Sequence, residues 1–220
     1  MNAPRARTVA SALAGALAGL GALTACTPTP PRGPSSDPAS LDYPGVLHPP
    51  GELTPDLVIE QHVVVSKGDR RGAFDGVLQK LGDELILVGL GPLGVRAFVL
   101  RQEGEGARVE RTLGPPLPFP PRNVLVDVHR AFFKRLPAPP RDGVHRGRLD
   151  GEEVTETWRA GSLVERRFVR EEFRPGAVRV IYGPGCGRDR CEPVDVRIVN
   201  EWFGYEISIE NRRYHSVQKS

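Results

Sequence analysis

Val58-Ile59-Glu60-Gln61-His62-Val63-Val64-Val65 is rich in β-branched side chains and partly alternates apolar with polar. That is the pattern of a strand with one face in a core. Segments of the same kind follow at 72–81, 84–90 and 95–101, separated by short turns that contain Gly or Asp. Connections this short join antiparallel neighbours, because a parallel crossover needs a dozen or more residues. Leu85-Ile86-Leu87-Val88 is apolar at consecutive positions, which predicts a strand covered on both faces.

Further on, Pro120 and Pro121 precede, and Pro137 closes, a segment at 122–136 with a different period. Val124, Leu125, Val128, Phe132 and Leu136 recur at helical spacing, while Arg122, Asp127, Arg130, Lys134 and Arg135 fall mostly off that stripe. The pattern predicts an amphipathic helix with its apolar side on a sheet. After a Pro-rich break at 137–140, strands are expected at 144–149, 153–158, 163–170, 178–182, 194–200 and 205–210. Glu165, Arg166, Arg167 and Arg170 suit a solvated strand face. Four strands, one helix and six strands define an α+β class: an antiparallel curved sheet with one main amphipathic helix on its concave face.

The N-terminal part has another composition. Arg5 and Arg7 precede an uncharged stretch, rich in Ala, Leu and Gly, that runs into Leu23-Thr24-Ala25-Cys26. A short positive region, an apolar segment and small residues at the cut define a secretory signal peptide over 1–25. An uncleaved membrane helix fits poorly, since the stretch is small-residue-rich and prolines follow at once. Leu23-Thr24-Ala25-Cys26 resembles the bacterial lipobox, which implies acylation of Cys26 and a membrane anchor. Position 27 is Thr rather than the Asp of inner-membrane retention in enteric bacteria. By that resemblance the chain sits in the outer membrane, facing the periplasm. Residues 26–50 read as a lipidated, Pro-rich tether of about 3.1 Å per residue, reaching up to ~70 Å, and 51–220 as the folded domain.

The whole chain has 30 Lys and Arg against 27 Asp and Glu. Without Arg5 and Arg7 the balance is 28 to 27, so the basicity belongs largely to the leader. Nucleic acid is therefore not expected as a partner.

Cys186 and Cys191 bracket Gly187-Arg188-Asp189-Arg190 in what reads as a hairpin tip. In an oxidising compartment such a pair is most simply a disulfide, contributing about 2 kcal/mol for so short a loop. Zinc would need two more ligands, and His48, His62, His129, His145 and His215 have no ligand spacing. No metal or other cofactor is expected. Gly89-Leu90-Gly91-Pro92-Leu93-Gly94 satisfies the dinucleotide-binding string, but that string demands a helix next, and Val95-Arg96-Ala97-Phe98-Val99-Leu100 reads as a strand. Asp127 and His129 are two apart on a helix and point to different sides. Ser162 lacks the nucleophile elbow, and Glu152 with Glu153 reads as surface. No enzyme is expected.

Phe74, Leu87, Phe98, Leu125, Phe132, Trp158, Phe168, Trp202 and Tyr205 are candidates to line an apolar cavity under the helix. The plainer alternative for each is ordinary core.

Three stretches carry a family resemblance. They are Gly72-Ala73-Phe74 through Leu85-Ile86-Leu87-Val88-Gly89-Leu90 to Gly94-Val95-Arg96-Ala97-Phe98, the helix start Asn123-Val124-Leu125-Val126-Asp127-Val128, and Ile198-Val199-Asn200 with Gly204-Tyr205-Glu206-Ile207-Ser208-Ile209. In this order they resemble a family of bacterial lipoproteins of unknown function, often encoded near aryl polyene synthesis genes, which is itself similar to the LolA/LolB lipoprotein carriers. The resemblance implies an incomplete β-barrel lidded by helices, although one helix alone is legible here. It also implies a monomeric, non-catalytic lipoprotein that binds or passes on an acyl chain or polyene-type lipid. The alternative is a structural lipoprotein that binds another cell-envelope protein through a sheet edge or the strand containing Arg166 to Arg170.

Overall fold

A computed structural model of the chain describes residues 43–112, 119–137, 141–187 and 190–216. Cys26, the leader and the tether up to residue 42 lie outside these residues. Five strands come first: β1 (Leu57–Lys67), β2 (Arg70–Leu81), β3 (Glu84–Leu90), β4 (Arg96–Glu103) and β5 (Gly106–Thr112). A helix, α1 (Pro121–Val128), follows and continues as a single π turn, His129–Phe133. Six strands complete the domain: β6 (Gly143–Leu149), β7 (Glu152–Arg159), β8 (Ser162–Val169), β9 (Val178–Tyr182), β10 (Asp195–Asn200) and β11 (Tyr205–Ser216).

The strands form one antiparallel sheet in the order β5-β4-β3-β2-β1-β11-β10-β9-β8-β7-β6. It is an open, curved sheet with edges at β5 and β6, not a closed barrel. The chain leaves the sheet at one edge and re-enters at the other, with α1 between. Joining β11 to β1 then stitches the two meanders together over eleven paired positions. One face of this sheet carries the core. Ile59, Leu78, Leu87 and Leu100 form a buried row across four neighbouring strands, because residues two apart share a face.

The sequence expectations need correction in several places. Leu85 and Leu87 are buried, but Ile86 and Val88 lie half-exposed on the convex face. That strand is therefore covered on one side, not both. Strand β5 carries no sequence expectation, because the exposed Arg108 and Glu110 alternate with the inward Ala107 and Val109 and obscure the pattern. Arg166 faces the core, because a register shift opposite Thr157 and Trp158 changes which residues of β8 point inward.

The helix does not run to 136. Lys134 N–H donates to the His129 carbonyl at 2.8 Å, an i→i+5 bond, and the chain then turns extended. Sheet side chains satisfy the carbonyls left at this end. Arg166 Nη1 donates to the Arg130 carbonyl (3.2 Å) and the Tyr182 hydroxyl to that of Ala131 (2.9 Å).

Nor is all of 26–50 a free tether. Tyr43, Leu47 and Pro50 are buried in the domain, and Arg122 donates to the carbonyls of Tyr43 (2.9 Å) and Gly45 (2.6 Å). Proline density fixes an extended backbone, but the Tyr and Leu between the prolines still find a core.

The glycine string joins β3 to β4, with a short 3-10 turn at Pro92–Gly94. A side chain at Gly89 would meet the Phe98 ring at 2.1 Å, so the missing Cβ is what lets that ring lie on β3. Cys186 and Cys191 are joined by a disulfide.

Candidate functional site

Two sides of α1 meet the concave face in different ways. One side is held by a buried polar network. Tyr43 and Tyr205 each donate their hydroxyl to a different oxygen of Asp127, and Asn200 Nδ2 donates to both hydroxyls, at 2.7 and 2.9 Å. Arg130 Nη1 donates to Asp127 (2.9 Å) and to the Tyr43 hydroxyl (3.0 Å); its Nη2 donates to the Pro44 carbonyl (2.7 Å) and to Glu152 (2.6 Å). The guanidinium also lies over the rings of Tyr43, Phe168 and Trp202.

The network sets the local charge states. Burial pushes Asp127 above the usual carboxylate range even with Arg130 beside it. Burial and the nearby Asp127 charge raise both tyrosine hydroxyls well above their ordinary value, so they remain donors. Burial opposes the Arg130 charge, but the Glu152 and Asp127 carboxylates outweigh it and keep the group protonated. Between Asp127 and Arg130 in the chain, His129 Nε2 bonds Gln102 Oε1 at 2.7 Å. Burial first, then the charges of Lys134 and His48, lower its pKa to about 3, so this imidazole is neutral.

The other side of α1 faces an apolar cavity of about 70 Å³. Its walls are Val63, Val65, Phe74, Leu87, Phe98, Phe119, Val124, Val128, Phe132, Ile198, Ile207 and Ile209; Gln61 and Asp127 are the two polar contributors. Phe74 and Phe98 meet edge to face at 5.2 Å, and Phe119 tilts over Tyr205 at 4.2 Å. By register, Val65, Phe74 and Phe98 lie near the end of the sheet where the β1–β2 turn and the β3–β4 connection emerge. Lys67 Nζ stands 5.7 Å from the centre of the Phe119 ring at that end.

Of the candidates named from sequence, Phe74, Leu87, Phe98 and Phe132 line this cavity. Leu125 is buried without reaching it, Phe168 and Trp202 lie under Arg130, Tyr205 belongs to the polar network, and Trp158 lines a separate cavity beyond Phe132. The aliphatic walls Val63, Val65, Ile198, Ile207 and Ile209 were missed. Their signal was the inward parity of β1, β10 and β11. Among the described residues no group of three or more His, Cys, Asp or Glu could hold a metal ion.

The sequence matches the model of the family described as Protein of unknown function (DUF3261) over residues 58–213. The three stretches that carry the resemblance all fall inside that span. No curated protein matches the chain. Among solved structures, a LolA superfamily protein from Nitrosomonas europaea is similar at 10% identity, with 78% of this chain and 91% of that chain covered and a TM-score of 0.41. A domain proposed as an outer membrane lipoprotein-sorting protein from Vibrio parahaemolyticus gives 9% identity, 76% and 87% coverage and a TM-score of 0.42. A DUF1329 family protein from Desulfovibrio piger gives 10%, 77%, 89% and 0.37. Likeness of this extent leaves function to be argued from the site itself.

Proposed function

We propose, from the premise that this chain belongs to the DUF3261 family, that it is a lipid-anchored envelope protein which holds an acyl chain against the apolar side of α1. The observation that carries the reading is the cavity itself: an almost wholly apolar space on a concave sheet, under a helix whose other side is fixed. Its free volume, about 70 Å³, is below the ~300 Å³ of a usual ligand pocket. Entry of an acyl chain therefore requires Phe119 and Phe132 to swing aside. Lifting α1 as a whole is disfavoured, because it would strip Arg130 and Asp127 of their partners.

The surface near the mouth suits a bilayer. Leu93, 100% exposed, and Val95, 54% exposed, project from the β3–β4 connection beside the exposed Arg96. No step of bond chemistry is assigned, since Gln61 is engaged by Asn211 and Asp127 by Tyr43, Tyr205 and Arg130. Anchoring is assigned to acyl groups on Cys26, with the outer membrane as the site. Metabolic labelling with palmitate should mark the wild-type chain, and Cys26→Ala should leave it unlabelled and free of membranes. An unlabelled wild type would overturn the anchor.

Binding is tested by filling the cavity. Val65→Phe adds volume where there is room, so stability should change by less than ~1 kcal/mol. Affinity for a fluorescent fatty acid should fall at least about tenfold, or ~1.4 kcal/mol. Equal affinity in the two proteins would sink the reading.

A further inference from the structure

Phe132 borders a second cavity on its other side, of about 240 Å³, between the end of the π turn and strands β7 and β8. Its apolar walls are Phe132, Trp158, Leu163 and the disulfide, and its polar ones include Arg135, Glu156 and Arg166. The two spaces share cross-strand rows. Val65, Ile207, Ile198 and Val180 continue directly into Arg166 and Glu156 on the same face. The concave face thus passes from hydrocarbon to ion pair along one line, with the Phe132 ring as the partition.

Charge in the second cavity is unbalanced. Glu156 is held by Arg166 Nε at 2.7 Å and by Trp158 Nε1 at 3.1 Å. Lys134 is paired with Asp150 at 2.6 Å. Arg135 is exposed at the cavity and has no acidic partner among the described residues. Arg166 is only 4% exposed, and its Nε and Nη1 are used by Glu156, the Arg130 carbonyl and Tyr182. Its Nη2 bonds nothing among those residues. Two guanidinium groups, one unpaired and one with a spare donor, suit a planar carboxylate.

Resting on the acyl-binding reading above, we propose that the two cavities are the ends of one amphipathic site for a single-chain fatty acid. The carboxylate lies between Arg135 and Arg166, and the alkyl chain passes Phe132 into the apolar cavity. The π turn contributes by placing Phe132 between the two ends, and such single-turn insertions occur often at functional sites.

The test uses the full chain in phosphatidylcholine nanodiscs with a C16 fatty acid that carries a diazirine near its carboxyl end, and with the methyl ester of the same molecule. The acid should label peptides containing residues 131–137 and 156–166 about tenfold more than the ester, the worth of one charge-assisted contact. Arg135→Glu, a change at an exposed position, should bring labelling by the acid down to that of the ester. Equal labelling by acid and ester in the wild type overturns this proposal and leaves the acyl-binding reading standing. A preference that survives Arg135→Glu also overturns it. Absence of labelling by either probe around both cavities overturns the acyl-binding reading itself.

Discussion

Arg130→Ala is expected to remove about 3–5 kcal/mol of folding stability, the largest loss of any single substitution considered for this domain. The guanidinium is fully buried and bonds two carboxylates, Asp127 and Glu152, that are themselves out of solvent. Taking it away leaves buried negative charge with no counter-ion, the Tyr43 hydroxyl and Pro44 carbonyl oxygens without the donor they accept from, and a void among Tyr43, Phe168 and Trp202. The loss of the cation dominates. Arg130→Met, which keeps most of the volume, should therefore still be strongly destabilised, whereas Arg130→Met combined with Asp127→Asn and Glu152→Gln should regain roughly half. Urea unfolding followed by tryptophan fluorescence measures all three. A loss below ~1 kcal/mol for Arg130→Ala would mean that the network does not fasten α1 to the sheet.

Acid should act through His129. In the fold its pKa is lowered to about 3 from 6.5, by burial first and then by the charges of Lys134 and His48. A lowered folded value stabilises the native state above pH 6.5. That contribution is lost as the pH falls from 6.5 toward 3, because the unfolded chain takes up a proton that the native chain refuses. At about 1.4 kcal/mol per pH unit, His129 alone should remove about 3 kcal/mol between pH 7 and pH 4. Asp127 has the opposite sign: its raised value means that protonation on acidification favours the fold. Asp150 and Glu165, with lowered values, add losses at the acid end of the range. His129→Gln separates these terms, since an amide can still meet Gln102 but does not titrate. The difference in stability between pH 7 and pH 4 should shrink by about 3 kcal/mol in the variant. An unchanged difference would show that this imidazole does not carry the pH response.

The strands were legible where burial alternates along the chain. Glu84–Leu90 and Val178–Tyr182 keep the bounds that their apolar patterns imply, and short turns between them correctly imply antiparallel pairing. What the sequence could not convey is partnership over distance. Asp127, Arg130, Glu152 and Arg166 read as solvent-facing one residue at a time, yet each is buried because a partner arrives from elsewhere. Tyr43 lies 84 residues from Asp127 in sequence, and Tyr205 lies 78 away. A faint signal was present. Asp127 sits inside Val124-Leu125-Val126-Asp127-Val128 with an opposite charge three residues on, and Tyr43 is the single aromatic residue among the prolines of 27–50.

The same limit explains the candidate cavity. Size and apolarity singled out Phe74, Leu87, Phe98 and Phe132, all of which line it. They also drew in Phe168 and Trp202, whose rings instead support a buried cation. Aromatic content marks where a core is. Only register tells which side of α1 a ring will face.

Native mass spectrometry of the chain, extracted from its own membranes, tests most directly whether the concave face holds a lipid. The expected wild-type spectrum contains the acylated protein plus one further acyl-bearing molecule held without a covalent bond, and Val65→Phe loses that extra mass. A wild type that carries only its covalent acyl groups, or a variant that retains the same bound molecule, would contradict the account.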